Sequence, residues 1–166
     1  MVIRFEHMKK AFNIIIGLAA LVFAAASCQK DEQPVKVFDQ TIAGQWHLVS
    51  AIAEGSSIMK DIDVYLSIDN AGNFELYQKT GNQTERYDLY TGICETINGV
   101  LTGVYSDGKP WGGKYIYTKT GDSLVLKTTN DIEEQQYTSC QIPDAVRQDA
   151  NTIYTKAASD AGSPIL

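Results

Sequence analysis

Histidine and cysteine are scarce in this sequence, and with them the patterns on which most enzymes and metal centres depend. The 166 residues include two histidines and three cysteines, and only His47 among the histidines lies beyond residue 27. No His-Glu-x-x-His, Cys-x-x-Cys or Gly-x-Ser-x-Gly pattern occurs, and there is no phosphate-binding loop. We therefore expect no catalytic residue, no metal and no cofactor.

Two pairs of neighbouring carboxylates, Asp61/Asp63 and Glu133/Glu134, have the composition that a glycosidase needs. Both pairs fall where a turn meets a strand, and acidic residues are common at such junctions. His47 is out of phase with its apolar neighbours, so its side chain is expected on the surface. These residues therefore do not change the expectation of a protein that is not an enzyme.

Basic clusters are absent as well. Lysine and arginine number 14 against 20 acidic residues, which gives a net charge of −6. An acidic chain without a basic patch is a poor partner for nucleic acid. The length suits one domain with an adequate core.

The first 27 residues have the organisation of a secretory signal peptide. Lys9 and Lys10 precede an apolar run over residues 11–23, and small residues follow. The run is shorter than the ~20 residues that a membrane-spanning helix needs. Translation begins at Met1 or at Met8, and both starts remain open.

The stretch "AASC", residues 25–28, resembles the lipobox of bacterial lipoproteins. The resemblance implies cleavage before Cys28, which then carries acyl chains such as palmitate and anchors the protein to a membrane. An ordinary cleavage site with an incidental cysteine is the alternative. The following "QKDE", residues 29–32, resembles the surface-export signal of lipoproteins in one Gram-negative phylum, which implies the exterior of the outer membrane; a solvated linker is the alternative.

Alternating apolar and polar residues separated by turn sequences predict eight β-strands. The connections are short, so consecutive strands should pair antiparallel, and eight of them can close into an up-and-down barrel. Asn98-Gly99 is a strong hairpin signal. The predicted strands are Ile42–Ile52, Asp63–Ile68, Phe74–Lys79, Tyr87–Ile97, Val100–Tyr105, Lys114–Lys119, Leu124–Thr128 and Glu134–Ile142.

The predicted domain organisation follows from these segments. A lipidated N-terminus and tether span residues 28–40, the barrel spans 41–143, and a short helix with a disordered tail spans 144–166. Cys94 and Cys140 fall on strands that are not neighbours, which favours two separate thiols, although an oxidising exterior permits a disulfide between them.

"IAGQW", with Gly44-x-Trp46, resembles the Gly-x-Trp signature of lipocalin and calycin barrels. "DVYLSIDNAGNFELYQ", "LTGVYSDGKPW" and "GDSLVL" are similar to the small lipocalin-like domains of Gram-negative surface lipoproteins. The resemblance implies an all-β barrel in which Gly44 and Trp46 seal one end, with Arg147 packed against the Trp.

Aromatic residues provide the candidates for a ligand site, because Trp and Tyr combine broad apolar faces with polar tips. The alternatives are that Tyr115 and Tyr117 fill the core and that Trp111 plugs a barrel end. The candidates are Trp111, Tyr105, Tyr115, Tyr117 and Tyr137.

Three functions remain open at this stage. The leading one is binding of a small apolar or glycan-like ligand by a surface-anchored barrel. A protease inhibitor is the second, because some bacterial inhibitors begin with a similar Gly-Gln-Trp strand. The third is an accessory subunit that contacts an outer-membrane protein through an outer face carrying Tyr65, Tyr77 and Tyr90.

Overall fold

Eight long strands form a closed antiparallel barrel in the computed structural model, which describes residues 37–60, 62–81, 86–153 and 163–166. Two further strands of two residues each, one short α-helix, α1 (Asp144–Asp149), and a 3-10 turn at Gln40–Ile42 complete the regular structure of these residues. The strands are β1 (Gly44–Ala53), β2 (Ser56–Ser57), β3 (Ile62–Ile68), β4 (Asn73–Thr80), β5 (Asp88–Ile97), β6 (Val100–Tyr105), β7 (Tyr115–Thr120), β8 (Ser123–Thr128), β9 (Glu133–Ser139) and β10 (Asn151–Thr152).

Each long strand pairs antiparallel with the next, and β9 pairs with β1 to close the sheet. The short β2 pairs with β1, and β10 adds in parallel to β5. The predicted all-β, eight-stranded up-and-down barrel with a short C-terminal helix is therefore confirmed.

The limits of the first and last strands differ from those predicted. β1 begins at Gly44 because Gln40–Ile42 form one turn of 3-10 helix, in which the Thr41 amide donates to the Asp39 carboxylate (2.9 Å). β9 ends at Ser139, and beyond it the amide of Ile142 donates to the side chain of Gln45 on β1 (2.8 Å) instead of to a main-chain carbonyl.

The hairpin between β5 and β6 has the predicted turn. Asn98 and Gly99 both have positive φ, 52° and 78°, as a two-residue turn that matches the twist of its strands requires. Glycine tolerates this conformation without steric cost.

The barrel interior is filled by side chains. Every second residue of the long strands points inward, and the largest side chains with almost no exposure include four aromatic rings. We call the end at which β1 begins the lower end of the barrel. There Ile42 is fully buried and the Trp46 indole donates to its carbonyl (3.1 Å), while Gly44 lies against the indole ring. The four rings belong to Phe74, Tyr90, Tyr115 and Tyr137.

Helix α1 covers part of the outer surface. Val146 and Ile142 pack on the outward-facing Tyr77, which retains only 3% of its exposure. Tyr90 points into the barrel and is 1% exposed. The predicted outer face of Tyr65, Tyr77 and Tyr90 is therefore wrong for two of its residues. The chain's own helix covers Tyr77, and Tyr90 lies inside the barrel.

The C-terminal segment is also different from the prediction. Residues 154–162 lie outside the described part of the chain, but Ser163–Leu166 returns to the barrel, where Leu166 is 2% exposed within the core. A disordered tail as far as residue 166 is therefore wrong for these last four residues, because an aliphatic side chain gains from burial there.

Cys94 and Cys140 are both free thiols. Cys94 lies inside the barrel on β5 and Cys140 follows β9, and these two strands are not neighbours. Burial raises the pKa of the Cys94 thiol to about 12. Among the described residues no helix is long and apolar enough to cross a membrane. The predicted signal peptide, lipobox, Cys28 and export signal lie outside those residues.

Candidate functional site

The end of the barrel opposite Trp46 carries buried polar side chains. At this end, the upper end, β4, β6 and β8 finish and β5, β7 and β9 begin. Gln78 on β4 and Gln135 on β9 point inward and are 4% and 2% exposed. A buried amide is costly unless it is hydrogen-bonded.

The partners of these side chains are main-chain atoms of Ser163–Leu166. Gln78 Nε2 donates to the Ser163 carbonyl (3.1 Å), and the Ile165 amide donates to Gln78 Oε1 (2.9 Å). Gln135 Nε2 donates to the Ile165 carbonyl at 2.9 Å. The upper end is therefore organised around a segment that is not a strand of the barrel.

Two tyrosines extend this set of hydrogen bonds. The Tyr105 hydroxyl donates to the Leu166 carbonyl (2.6 Å), and the Tyr137 hydroxyl donates to Gln135 Oε1 (2.7 Å). Burial raises the pKa of both phenols above the ordinary value, so both remain protonated donors at neutral pH.

Trp111 reaches the interior from the loop between β6 and β7. Its ring meets Phe74 and Tyr115 edge to face, with centroids 5.1 and 6.1 Å apart. It lies so close to Gly103 that a Cβ there would fall 2.2 Å from the indole. The indole Nε1 is buried and has no hydrogen-bond partner among the residues that the structure describes.

The structure therefore groups four of the five predicted aromatic candidates around the upper end and the adjoining core: Trp111, Tyr105, Tyr115 and Tyr137. Burial raises the pKa of Tyr115 to about 12, and a hydrogen bond with Gln135 opposes this shift. Tyr117 lies elsewhere: its hydroxyl donates to the Asp39 carboxylate (2.8 Å) beside the 3-10 turn at the lower end. At the lower end, Tyr117 therefore bonds to the chain segment that precedes β1.

Sequence reasoning missed Gln78 and Gln135, although a signal was present. In "FELYQK", Gln78 continues the inward phase of Phe74 and Leu76, and in "EEQQYTS" Gln135 shares the phase of Tyr137. A polar residue that continues an inward apolar phase at a strand end predicts a buried hydrogen-bonding group.

Arg147 does not pack against Trp46. It lies on α1 outside the barrel, where its guanidinium bonds to Glu75 (3.0 Å) and sits over the Tyr77 ring, 5.6 Å from the centroid. The prediction that Arg147 contacts Trp46 at the barrel end is therefore wrong. Helix α1 packs on the outer face of β4, and Arg147 lies there with it.

Two cavities adjoin these elements. One of about 380 Å³ lies at the upper end between the 163–166 segment and residues of β7, β8 and the loops beside them. The other, about 630 Å³, is an open groove on the outer face of β4, β5 and β6, where Ile93 and Val104 face each other across the strands and are 53% and 47% exposed.

Two of the polar residues considered for catalysis, His47 and Asp63, contact each other. His47 stacks on Tyr65, with centroids 4.5 Å apart, and bonds to Asp63 at 2.8 Å on the outer surface. Asp61 lies outside the described residues. Within the part of the chain that the structure describes, no three His, Cys, Asp or Glu side chains are placed to hold a metal ion.

No protein-family model matches this sequence, and no curated protein is significantly similar to it.

Proposed function

We propose that this protein is a lipid-anchored, lipocalin-like binding protein of the outer membrane that takes its ligand at the upper end of the barrel. The observation that carries the proposal is the set of buried hydrogen-bonding groups on Gln78, Gln135 and Tyr105. All three bond to a segment outside the barrel strands. A small molecule with an apolar body and amide or hydroxyl groups, such as an apolar or glycan-like ligand, matches that chemistry.

The surroundings support a binding role. A ligand site combines predominantly apolar walls with a few placed polar groups. Here the walls are the aromatic and aliphatic core, and the polar groups are two carboxamides and one phenol. The unpaired Trp111 Nε1 adds a donor, since a buried N–H without a partner costs about 1–3 kcal/mol that a ligand oxygen would recover.

The location follows from the sequence. Acylation of Cys28 supplies the membrane anchor, and the acidic stretch after it directs the protein to the exterior. Of the predicted tether, the structure describes residues 37–40, and at the lower end of the barrel the Val37 carbonyl accepts from the Thr96 amide (3.0 Å).

Native mass spectrometry of the protein isolated from its own membrane tests the binding role. We expect an added mass that is lost on denaturation. The variant Gln135→Leu should lose it, because the buried amide that contacts the site is gone. The variant Gln136→Ala, one residue along β9 and bonded to Glu134 on the outer face, should keep it. Equal loading of both variants would contradict the assigned site.

A second candidate function is that of an accessory subunit, favoured by the exposed pair Ile93 and Val104 in the outer groove. Exposed apolar patches often mark protein contacts. If this groove binds an outer-membrane partner, Ile93→Lys should abolish co-purification after crosslinking, whereas Lys119→Ala on β7 should not. The inhibitor role is less well supported, because Asp39 and Val37 of the N-terminal segment are bonded to Thr96 on β5.

A further inference from the structure

The upper end of the barrel holds a stretch of polypeptide without regular secondary structure, residues 163–166 of the same chain. We propose that the ligand class of this site is an extended peptide with an aliphatic anchor residue, and that Ser163–Leu166 is its intramolecular competitor. This inference rests on the proposed binding role and specifies the ligand.

The first argument is that, among the described residues, four hydrogen bonds join barrel side chains to the main chain of the segment. Gln78 accepts from the Ile165 amide and donates to the Ser163 carbonyl, so one carboxamide spans two peptide groups two residues apart. A residue in a parallel strand ladder bonds its neighbour in the same way, to the groups on either side of the residue opposite. Gln78 therefore recognises backbone and not a particular side chain.

The second argument concerns residue 164, whose main chain lies between these two contacts. Residue 164 is proline, which has no N–H group. No main-chain donor between Ser163 and Ile165 thus needs a partner in the barrel. A peptide with proline at this position fits the site without leaving a buried donor unsatisfied.

The third argument is the anchor. Leu166 is 2% exposed and belongs to the core cluster, with Ile165 packed against the same cluster. The Tyr105 hydroxyl fixes the Leu166 carbonyl at 2.6 Å, which places the side chain of this residue in the apolar interior. Recognition therefore combines sequence-tolerant backbone contacts with one buried aliphatic side chain, as in other extended-peptide sites.

Attachment to the same chain gives the segment an advantage over a free peptide. A tethered group acts at an effective concentration in the millimolar range, which a separate peptide must exceed. Weakening the attached segment should therefore expose the site to a peptide in solution. Leu166→Asp does this, because it places a charge at a buried apolar position.

The test measures fluorescence anisotropy of a labelled peptide with the sequence of residues 157–166, "AASDAGSPIL", against full-length protein. We expect Leu166→Asp to bind it about tenfold more tightly, or better, than the unmodified protein does. Adding Gln135→Leu to Leu166→Asp should abolish binding, and adding Gln136→Ala should not. A peptide with Asp in place of its last Leu should not bind.

The milder variant Leu166→Ala provides the same test if Leu166→Asp does not fold. Circular dichroism checks the folding of both variants. For a folded variant, the peptide should also raise the melting temperature, since it binds only the native state. Equal peptide binding by the variants and the unmodified protein, or no binding by either, would overturn the inference. If a small ligand were still released in native mass spectrometry, the proposed function would stand and only the peptide class would fail.

Discussion

The Tyr137 hydroxyl donates a hydrogen bond of 2.7 Å to Oε1 of Gln135, two residues earlier on the same strand and on the same inward face. Because the oxygen of the carboxamide is held by Tyr137, its nitrogen is directed to the Ile165 carbonyl. Tyr137 thus orients the carboxamide that contacts the 163–166 segment, and under the proposed function we expect it to act as a positioning residue.

Tyr137→Phe should remove this orientation while keeping the ring. It leaves the buried acceptor of Gln135 without its partner, so we expect the free energy of unfolding to fall by about 1–3 kcal/mol. Peptide or ligand affinity at the upper end should fall as well, which a purely structural role would not require. Urea denaturation and anisotropy measure the two effects. Tyr117→Phe, at the lower end, should leave affinity unchanged; if it lowered affinity equally, the positioning role would be refuted.

Gly103→Ala should destabilise the barrel by forcing Trp111 away. A Cβ at position 103 would lie 2.2 Å from the indole, so the ring or the strand must shift, at a cost of about 1–3 kcal/mol. Gly112→Ala is the matched control, because its nearest neighbour would be the Leu166 carbonyl at 3.9 Å. Urea denaturation of the two variants should separate them clearly. Equal stability would mean that Trp111 is not packed over Gly103.

Arg147→Ala should loosen helix α1 from the barrel. The guanidinium bonds to Glu75 and covers the Tyr77 ring, but both charged side chains are partly exposed, so we expect a loss of only about 1 kcal/mol. Arg86 pairs with Asp149 at 3.5 Å and is more exposed. Its replacement by Ala should change stability by no more than about 0.5 kcal/mol. A larger effect at Arg86 than at Arg147 would contradict the role assigned to Arg147.

Alkaline pH should unfold the protein through its buried tyrosines. Burial raises the pKa of Tyr90 and Tyr115 to about 12, whereas in the unfolded chain both ionise near pH ~10. The folded state therefore retains protons that the unfolded state releases. Their contribution to stability is complete below about pH 10 and is lost as pH rises from there towards 12, by up to about 1.4 kcal/mol per pH unit for each group.

Urea midpoints at pH 8, 10 and 11 measure this dependence. Tyr115→Phe should make the decline above pH 10 shallower, because one of the contributing phenols is gone. Ultraviolet titration of the folded protein provides an independent check. If all its tyrosines ionised near pH 10 before unfolding, the burial argument would fail.

Much of the barrel could be predicted from local pattern. The observed limits of β3 to β8 agree with the predicted ones within about one residue. The reason is that side-chain alternation and the turn at Asn98-Gly99 depend on residues that are neighbours in the sequence. The antiparallel order followed from the short connections, and closure was expected because it removes the exposed edges of the sheet. Trp111, Tyr105 and Tyr137 were chosen as ligand-site candidates by residue type, and the structure places them at the upper end and in the adjoining core.

The hydrogen bonds of the candidate site at the upper end were harder to predict, because the residues that form them are distant in the sequence. Gln78 and Ser163 are separated by 85 residues, and Gln135 and Ile165 by 30. Pairing of this kind depends on which end of the barrel each strand reaches. Arg147 was misplaced for the same reason, since nothing in its neighbourhood specifies the face on which α1 packs.

The amino-acid sequence by itself determined the eight strands, their antiparallel order and the inward phase of each, because these depend on side-chain alternation and on connection length. Only the tertiary structure decided that Leu166 enters the core and that Gln78, Gln135 and Tyr105 converge on one segment. The physical reason is that a buried amide must find its hydrogen-bond partner in space, and closing the barrel brings the distant backbone of residues 163–166 to that position.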